Sequence, residues 1–227
     1  MRFFDVHTHI LPGVDDGAKN KEESLELIKM LKKQGITDII LTPHFYTYQT
    51  SLEKFIAKRN KAFEEIKDFF DENKITPHLG AEVYFLDTLF GLEDISELCI
   101  EESNYILIEL PFNERNTKKV LSMLNRLSAT FQVVPILAHI EKYPVFFNRE
   151  FLTEAKKMDC LVQFDIESLK FPLLRKKIKG FIEQGYIQFA GSDCHDIKER
   201  KPNIDIMKKY LPQIMCEFVF DNSNITF

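Results

Sequence analysis

The histidines of this chain fall where its apolar runs end. Phe3-Phe4-Asp5-Val6 leads into His7-Thr8-His9, and Asp38-Ile39-Ile40-Leu41 into Thr42-Pro43-His44. Val133-Val134-Pro135-Ile136-Leu137 leads into Ala138-His139, and Ile187-Gln188-Phe189-Ala190 into Gly191-Ser192-Asp193-Cys194-His195. Continuous apolar runs of this length read as strands covered on both faces, the mark of a parallel sheet wrapped by helices. In such folds the carboxyl ends of the strands gather on one face, where active sites are built. Histidines far apart in sequence then converge in space, which is what a site for several metal ions requires.

Strand signals recur at Arg2–Val6, Asp38–Thr42, His78–Tyr84, Tyr105–Leu110, Gln132–Ala138, Cys160–Asp165 and Ile187–Ala190. Helical signals lie between them. Asn20-x-x-Glu23 resembles a capping box, and Leu27, Ile28 and Leu31 follow at helical spacing until Gly35. Ser51–Glu72 carries Phe55, Ile56, Phe63, Ile66 and Phe70 on one stripe and reads as one helix. Thr117–Thr130, Asn148–Met158 and Leu173–Gln184 complete the set, with a short terminal strand expected at Cys216–Phe220. Sevenfold alternation of this kind predicts an α/β barrel or a barrel-like parallel sheet. No linker, repeat or low-complexity segment interrupts it, so residues 1–227 are expected to form a single domain.

The balance of 30 basic and 35 acidic residues gives a formal charge of −5, with no basic stripe, which disfavours a nucleic-acid groove. An anionic substrate would need local positive charge, such as metal ions. Cys99, Cys160, Cys194 and Cys216 form no paired motif and read as reduced thiols of a cytoplasmic protein. No leader is apparent at the start, and no apolar stretch approaches the ~20 residues of a membrane span.

Each candidate ligand is ambiguous by itself. In an extended strand His7 and His9 point to the same side, about 6.5 Å apart, so they form either a metal-binding pair or a pair of surface histidines. Asp15-Asp16-Gly17 offers a carboxylate or an ordinary turn. Glu82 and Glu109 end buried runs, where a carboxylate must be metal-bound or salt-bridged. Asp193-x-His195 repeats the spacing of the first pair after Gly191-Ser192. His78 opens a strand instead of closing one and reads as structural. Taken jointly, His7, His9, Asp16, His44, Glu82, Glu109, His139, Asp193 and His195 all map to strand ends or to the loop after the first strand. Imidazole and carboxylate without thiolate suits manganese, iron or zinc, and nine ligands imply two or three ions sharing a carboxylate.

These residues resemble the PHP (polymerase and histidinol phosphatase) superfamily, and within it the bacterial tyrosine-protein phosphatases of the CpsB/YwqE type. The opening Asp5-Val6-His7-Thr8-His9-Ile10-Leu11-Pro12-Gly13-Val14-Asp15-Asp16-Gly17 carries the likeness, with Thr42-Pro43-His44, Gly80-Ala81-Glu82, Ile108-Glu109, Ala138-His139 and Ser192-Asp193-Cys194-His195. The resemblance implies a distorted (β/α)7 TIM-like barrel and a trinuclear, usually manganese-dependent, site. It further implies removal of phosphate from tyrosines in the C-terminal tail of a bacterial tyrosine kinase that controls capsule or exopolysaccharide synthesis. Oligomers are frequent in such families. The implied ligand sets are His7, His9 and Asp193 with Glu82 bridging, then Glu109 with His139, then Asp16, His44 and His195. Arg200 matches one basic residue near the phosphate. The other family position, usually arginine, is here Lys142, a point charge without the bidentate fork.

The expected chemistry is in-line attack by a metal-bridged hydroxide on a phosphomonoester. A small phosphomonoester such as histidinol phosphate would use the same ions, and a non-catalytic, metal-stabilised partner of the export machinery is the reading from another class. Cys194 and Arg200 also match, formally, the Cys-x5-Arg loop of cysteine phosphatases, but that loop needs glycines and inward-facing amides. Phe45, Tyr46 and Tyr48 either line a phosphotyrosine pocket or pack as a plain loop.

Overall fold

The computed structural model describes residues 2–101 and 103–211, so the strand expected at Cys216–Phe220 lies outside the described residues. Nine strands are described: β1 (Phe4–Thr8), β2 (Asp38–Leu41), β3 (His44–Phe45), β4 (Thr76–Leu79), β5 (Glu82–Tyr84), β6 (Tyr105–Glu109), β7 (Val134–Leu137), β8 (Leu161–Asp165) and β9 (Phe189–Gly191). Every pairing among them is parallel, in the orders β1-β2-β4 and β3-β5-β6-β7-β8-β9. The strand expected over His78–Tyr84 is split in two, and the one expected over Asp38–Thr42 is followed by a further short strand, β3. Thr42-Pro43 separates β2 from β3. Gly80-Ala81 separates β4 from β5. Hydrogen bonds across the breaks, Gly80 N to Leu41 O (3.0 Å) and Glu82 N to Pro43 O (3.0 Å), keep the halves aligned. The ring closes between β9 and β1 through His9 N to Cys194 O (2.9 Å) and Asp193 N to His7 O (3.0 Å). Seven strand positions thus form the expected distorted TIM-like barrel.

Six of the described helices lie in the crossovers: α1 (Lys21–Lys33), α2 (Leu52–Glu64), α3 (Lys67–Asn73), α4 (Thr117–Phe131), α5 (Arg149–Lys157) and α6 (Pro172–Glu183). Asn20 caps α1 by accepting from Glu23 N at 3.0 Å, while the Glu23 side chain accepts from Lys19 N. The single helix expected over Ser51–Glu72 is two. At Ile66 the backbone leaves helical geometry (φ −125, ψ −3), and α3 turns to pack on α1 and β4 with Ile66 and Phe70 both buried. The β5–β6 crossover carries two short 3₁₀ turns, Asp87–Gly91 and Ser96–Leu98, in place of an α-helix. A short α7 (Ile204–Tyr210), not expected from the sequence, follows β9.

One apolar layer lies between strands and helices. A second, of Val6, Ile40, Ile100, Leu107, Ile136, Ala138 and Phe189, fills the barrel interior below the site. Each of these side chains larger than Ala138 contributes about 1.5–3 kcal/mol on burial, and the plug gives the site a dry floor. Strand alternation would send Val6 and His7 to opposite faces. The β1–β2 register shifts between Asp5 and Thr8, and both side chains face inward, Val6 to the plug and His7 to Glu82. His139, next to the interior Ala138, is turned inward by a left-handed backbone (φ +31). Asp193 is also left-handed (φ +50), so two candidate ligands sit in a conformation that few non-glycine residues adopt.

Candidate metal centre

The carboxyl ends of β1, β6, β7 and β9, with His44 and Glu82 at the starts of β3 and β5, bring all nine candidate ligands, and both basic residues, to one face. At the centre lies Glu82, fully buried. Its Oε2 has His44 Nδ1 at 2.9 Å, His7 Nε2 at 3.1 Å and His9 Nε2 at 3.2 Å. Its Oε1 meets His139 Nε2 at 2.8 Å. Asp193 Oδ1 stands 3.6 Å from His7 Nε2 and 3.5 Å from His9 Nε2. Glu109 lies 3.9 Å from both His44 and His139. Asp16, on the exposed rim, reaches His44 and His195, each at 3.5 Å.

Despite those short distances, Glu82 Oε2 and His44 Nδ1 have no hydrogen-bond partner among the described residues, and neither do Glu109 Oε2 and His195 Nε2. Buried polar atoms rarely remain unpaired. Lone pairs converging without protons between them are what a shared cation needs, so the donor set fits divalent metal ions. Three groups of donor atoms each lie within 4.8 Å of one another: His7, His9 and Glu82; His44, Glu82 and Glu109; and His9, Asp16, His44 and His195. The grouping differs in detail from the one the resemblance implied. His9 joins the Asp16 group, and His44 takes the place beside Glu109 that had been given to His139.

Outer residues set the tautomers. Asp15 accepts from His9 Nδ1 at 2.7 Å and from His44 N at 2.9 Å, leaving His9 Nε2 to face the centre. Gln163 Oε1 accepts from His7 Nδ1 (3.3 Å) and His139 N (2.7 Å). The Asp193 carbonyl accepts from His195 Nδ1 at 2.9 Å. Burial opposes charge on His9, but Asp15 and Glu82 outweigh it and hold its pKa well above the usual imidazole value. Burial likewise raises Glu82, yet His7, His139 and His44 overcome it and hold the carboxylate well below its usual range. His139 is raised to about 9 because Glu82 outweighs its burial. The cluster therefore demands positive charge, as protons or as metal, and metal binding would release protons.

Lys142 Nζ bridges Asp165 (2.6 Å) and Asp193 (2.9 Å), and Arg200 reaches Asp193 at 2.8 Å. Cys194 belongs to the apolar layer instead. Burial pushes its thiol well up, so it stays protonated. The amides after it are spent, with Lys198, Glu199 and Arg200 N donating to the Asp196 carboxylate. No phosphate cradle of the cysteine type exists there. Phe45 is core, packed on Phe55. Tyr46 stacks on His44 at 5.2 Å and meets Tyr48 and Tyr84, forming an aromatic wall beside the centre.

Residues 3–225 match the family described as capsular polysaccharide synthesis, CpsB/CapC. The chain belongs to the CpsB/CapC family. Among relatives of this CpsB/CapC chain, the tyrosine-protein phosphatase CpsB of Streptococcus pneumoniae is 29% identical over 96% of this chain and 95% of its own length. The putative tyrosine-protein phosphatase CapC of Staphylococcus aureus is 32% identical over 86% of this chain and 78% of its own. The fold resembles a crystal structure from work on YwqE of Bacillus subtilis and CpsB of Streptococcus pneumoniae, described as unique metal-dependent tyrosine phosphatases. That match has TM-score 0.77 and 22% identity, covering 98% of this chain and 93% of the other.

Sequence reasoning left Asp15, Gln163 and Asp165 out of the CpsB/CapC site. Asp15 stood in view within Asp15-Asp16-Gly17, and its outer role shows only in three dimensions. Gln163 and Asp165 alternate on β8, pointing inward like ligands, and that spacing was the available signal.

Proposed function

We propose that this protein is a metal-dependent phosphomonoesterase that removes phosphate from protein tyrosines, the substrate being the C-terminal tail of a bacterial tyrosine kinase governing capsule or exopolysaccharide synthesis. The observation that carries the metal dependence is Glu82 Oε2, buried among three imidazole nitrogens without a hydrogen bond. The curated relatives are named tyrosine-protein phosphatases, which supports the substrate class.

In this reading one domain over residues 1–227 holds two or three Mn²⁺ ions, using His7, His9, Asp16, His44, Glu82, Glu109, His139, Asp193 and His195. Iron or zinc would suit the same donors. Bound divalent ions lower the pKa of coordinated water and neutralise phosphate oxygens. The chain's own residues do the rest. Arg200, part-exposed at the rim, and Lys142 behind it hold Asp193 and face the phosphate, the guanidinium as a planar fork and the ammonium as a point charge. The aromatic wall of Tyr46, Tyr48 and Tyr84 receives the substrate ring. Tyrosine is a good leaving group, its phenol having a pKa of about 10, so little protonation is needed as the bond breaks. The protein acts in the cytoplasm; no helix among the described residues is long and apolar enough to cross a membrane.

The test is turnover of a phosphotyrosine peptide, a phosphoserine peptide and histidinol phosphate by the Mn²⁺-loaded protein. The expected result is hydrolysis of the phosphotyrosine peptide far above the other two. Turnover of histidinol phosphate alone would move the substrate class, and no turnover of any would leave a metal-stabilised binding protein.

A further inference from the structure

Beside the metal centre a cavity of about 450 Å³ runs from Asp16, His44 and Tyr46 to Thr50, Lys54 and Lys58. That volume falls within the ~300–1,000 Å³ range of ligand pockets. Its lining carries both signs of charge. The carboxylates are committed: Asp15 to His9 and to the His44 amide, and Asp16 towards His44, His195 and Arg200. Lys54 and Lys58, both exposed, line it one turn apart on the same face of α2. Neither amine is paired with a carboxylate among the described residues, although Lys58 Nζ donates to Val14 O at 2.7 Å.

Helix stability does not account for this pair. Lys54 lies in the first turn of α2, where the helix dipole disfavours a cation, and like charges four residues apart repel. Two local penalties, on the wall of a cavity that opens onto the reaction centre of an acidic protein, point to a use for positive charge at that spot.

We propose that this cavity is a subsite for an anionic side chain, a carboxylate or a second phosphate, lying beside the phosphotyrosine in the protein substrate. The inference rests on the tyrosine-phosphatase reading of the adjoining site. The ring of the reacting tyrosine lies against Tyr46, and a neighbouring residue enters the cavity, where Lys54 and Lys58 meet its charge. Gln49 and Thr50 add polar groups to the lining.

The experiment compares kcat/KM for three phosphotyrosine peptides differing only in the flanking residues: glutamates, a second phosphotyrosine, or glutamines. It uses full-length Mn²⁺-loaded wild type, Lys54→Ala and the double variant Lys54→Glu, Lys58→Glu. In wild type both anionic peptides are expected to exceed the neutral one about fivefold, through KM and with the advantage shrinking at high salt. Lys54→Ala reduces that ratio, and the double reversal brings it to one or below. Because the readout is a ratio within one enzyme, a loss of folded protein does not imitate the effect. Lys54→Ala leaves the Lys58–Val14 bond in place and guards against misfolding of the double variant. A preference for the doubly phosphorylated peptide alone assigns the subsite to phosphate, and a preference for both assigns it to negative charge in general. A wild-type ratio of one, or a ratio that survives both variants, overturns the proposal. If wild type hydrolyses neither the peptides nor p-nitrophenyl phosphate, the phosphatase reading itself has failed.

Discussion

Gly17→Ala would damage metal binding although Gly17 is not a ligand. A Cβ at Gly17 would sit 1.9 Å from His9 O, 2.6 Å from His9 Cβ and 2.8 Å from His9 C. Ordinary contact begins near 3.4 Å, so His9 or the 13–18 loop must move by about 1.5 Å at the oxygen. The obstacle is mostly backbone and has no rotamer to swing aside. His9 O accepts from Ala18 N at 2.9 Å, and a shift of that size breaks the bond. The same shift carries His9 Nε2 away from Glu82 and Asp193, and His9 Nδ1 away from Asp15. Overpacking of this kind costs about 1–3 kcal/mol of stability. Disturbing the support of a metal ligand costs about 10–100-fold in affinity. Mn²⁺ affinity from competition with a fluorescent chelator, beside thermal unfolding of the metal-free protein, measures both. Gly91→Ala, whose Cβ would meet nothing within 4 Å, is the control. Mn²⁺ affinity within twofold of wild type in Gly17→Ala would refute the claim that this close approach positions His9.

Asp15→Asn keeps the shape but removes the charge that orients His9. Mn²⁺ affinity should fall about tenfold or more with little change in circular dichroism, and an unchanged affinity would remove Asp15 from the site. Cys194→Ser places a hydroxyl in a buried apolar position, so it should lower thermal stability while metal-dependent turnover by the folded fraction persists; complete loss of turnover in folded, metal-loaded protein would restore a thiol mechanism. Gly180→Ala lies inside α6, where outside the local helix backbone its Cβ would meet only Gln184 Nε2 at 3.8 Å, so it should stabilise the protein by about 0.5–1 kcal/mol without altering metal affinity, as read from chemical denaturation.

The barrel was legible because buried parallel strands are written as apolar runs, and all seven runs became strand positions. Their breaks were less so. Pro43 stands at one break, but Pro77 and Pro135 lie within paired strands, so proline alone does not mark it, and Gly80-Ala81 carries no proline at all. The α2–α3 break carries no glycine or proline signal, and tertiary packing of Ile66 and Phe70 decides it. Arg59 on α2 is buried although charged, its guanidinium spent on Gly80 O and Glu97 O. Such long-range pairing has no local pattern. At the centre, candidate ligands at strand ends were visible as imidazole and carboxylate without thiolate, a donor set that suits manganese, iron or zinc. Which donors group together was not, because that depends on the β1 register shift and on the left-handed His139 and Asp193.

The most direct test of the account is a metal titration of the stripped protein, with bound ions per chain and phosphotyrosine-peptide turnover read on the same samples. The account predicts no turnover after chelation, then recovery in step with Mn²⁺ occupancy up to two or three ions per chain. Full turnover by the stripped protein, or full occupancy without turnover of the peptide, would contradict it.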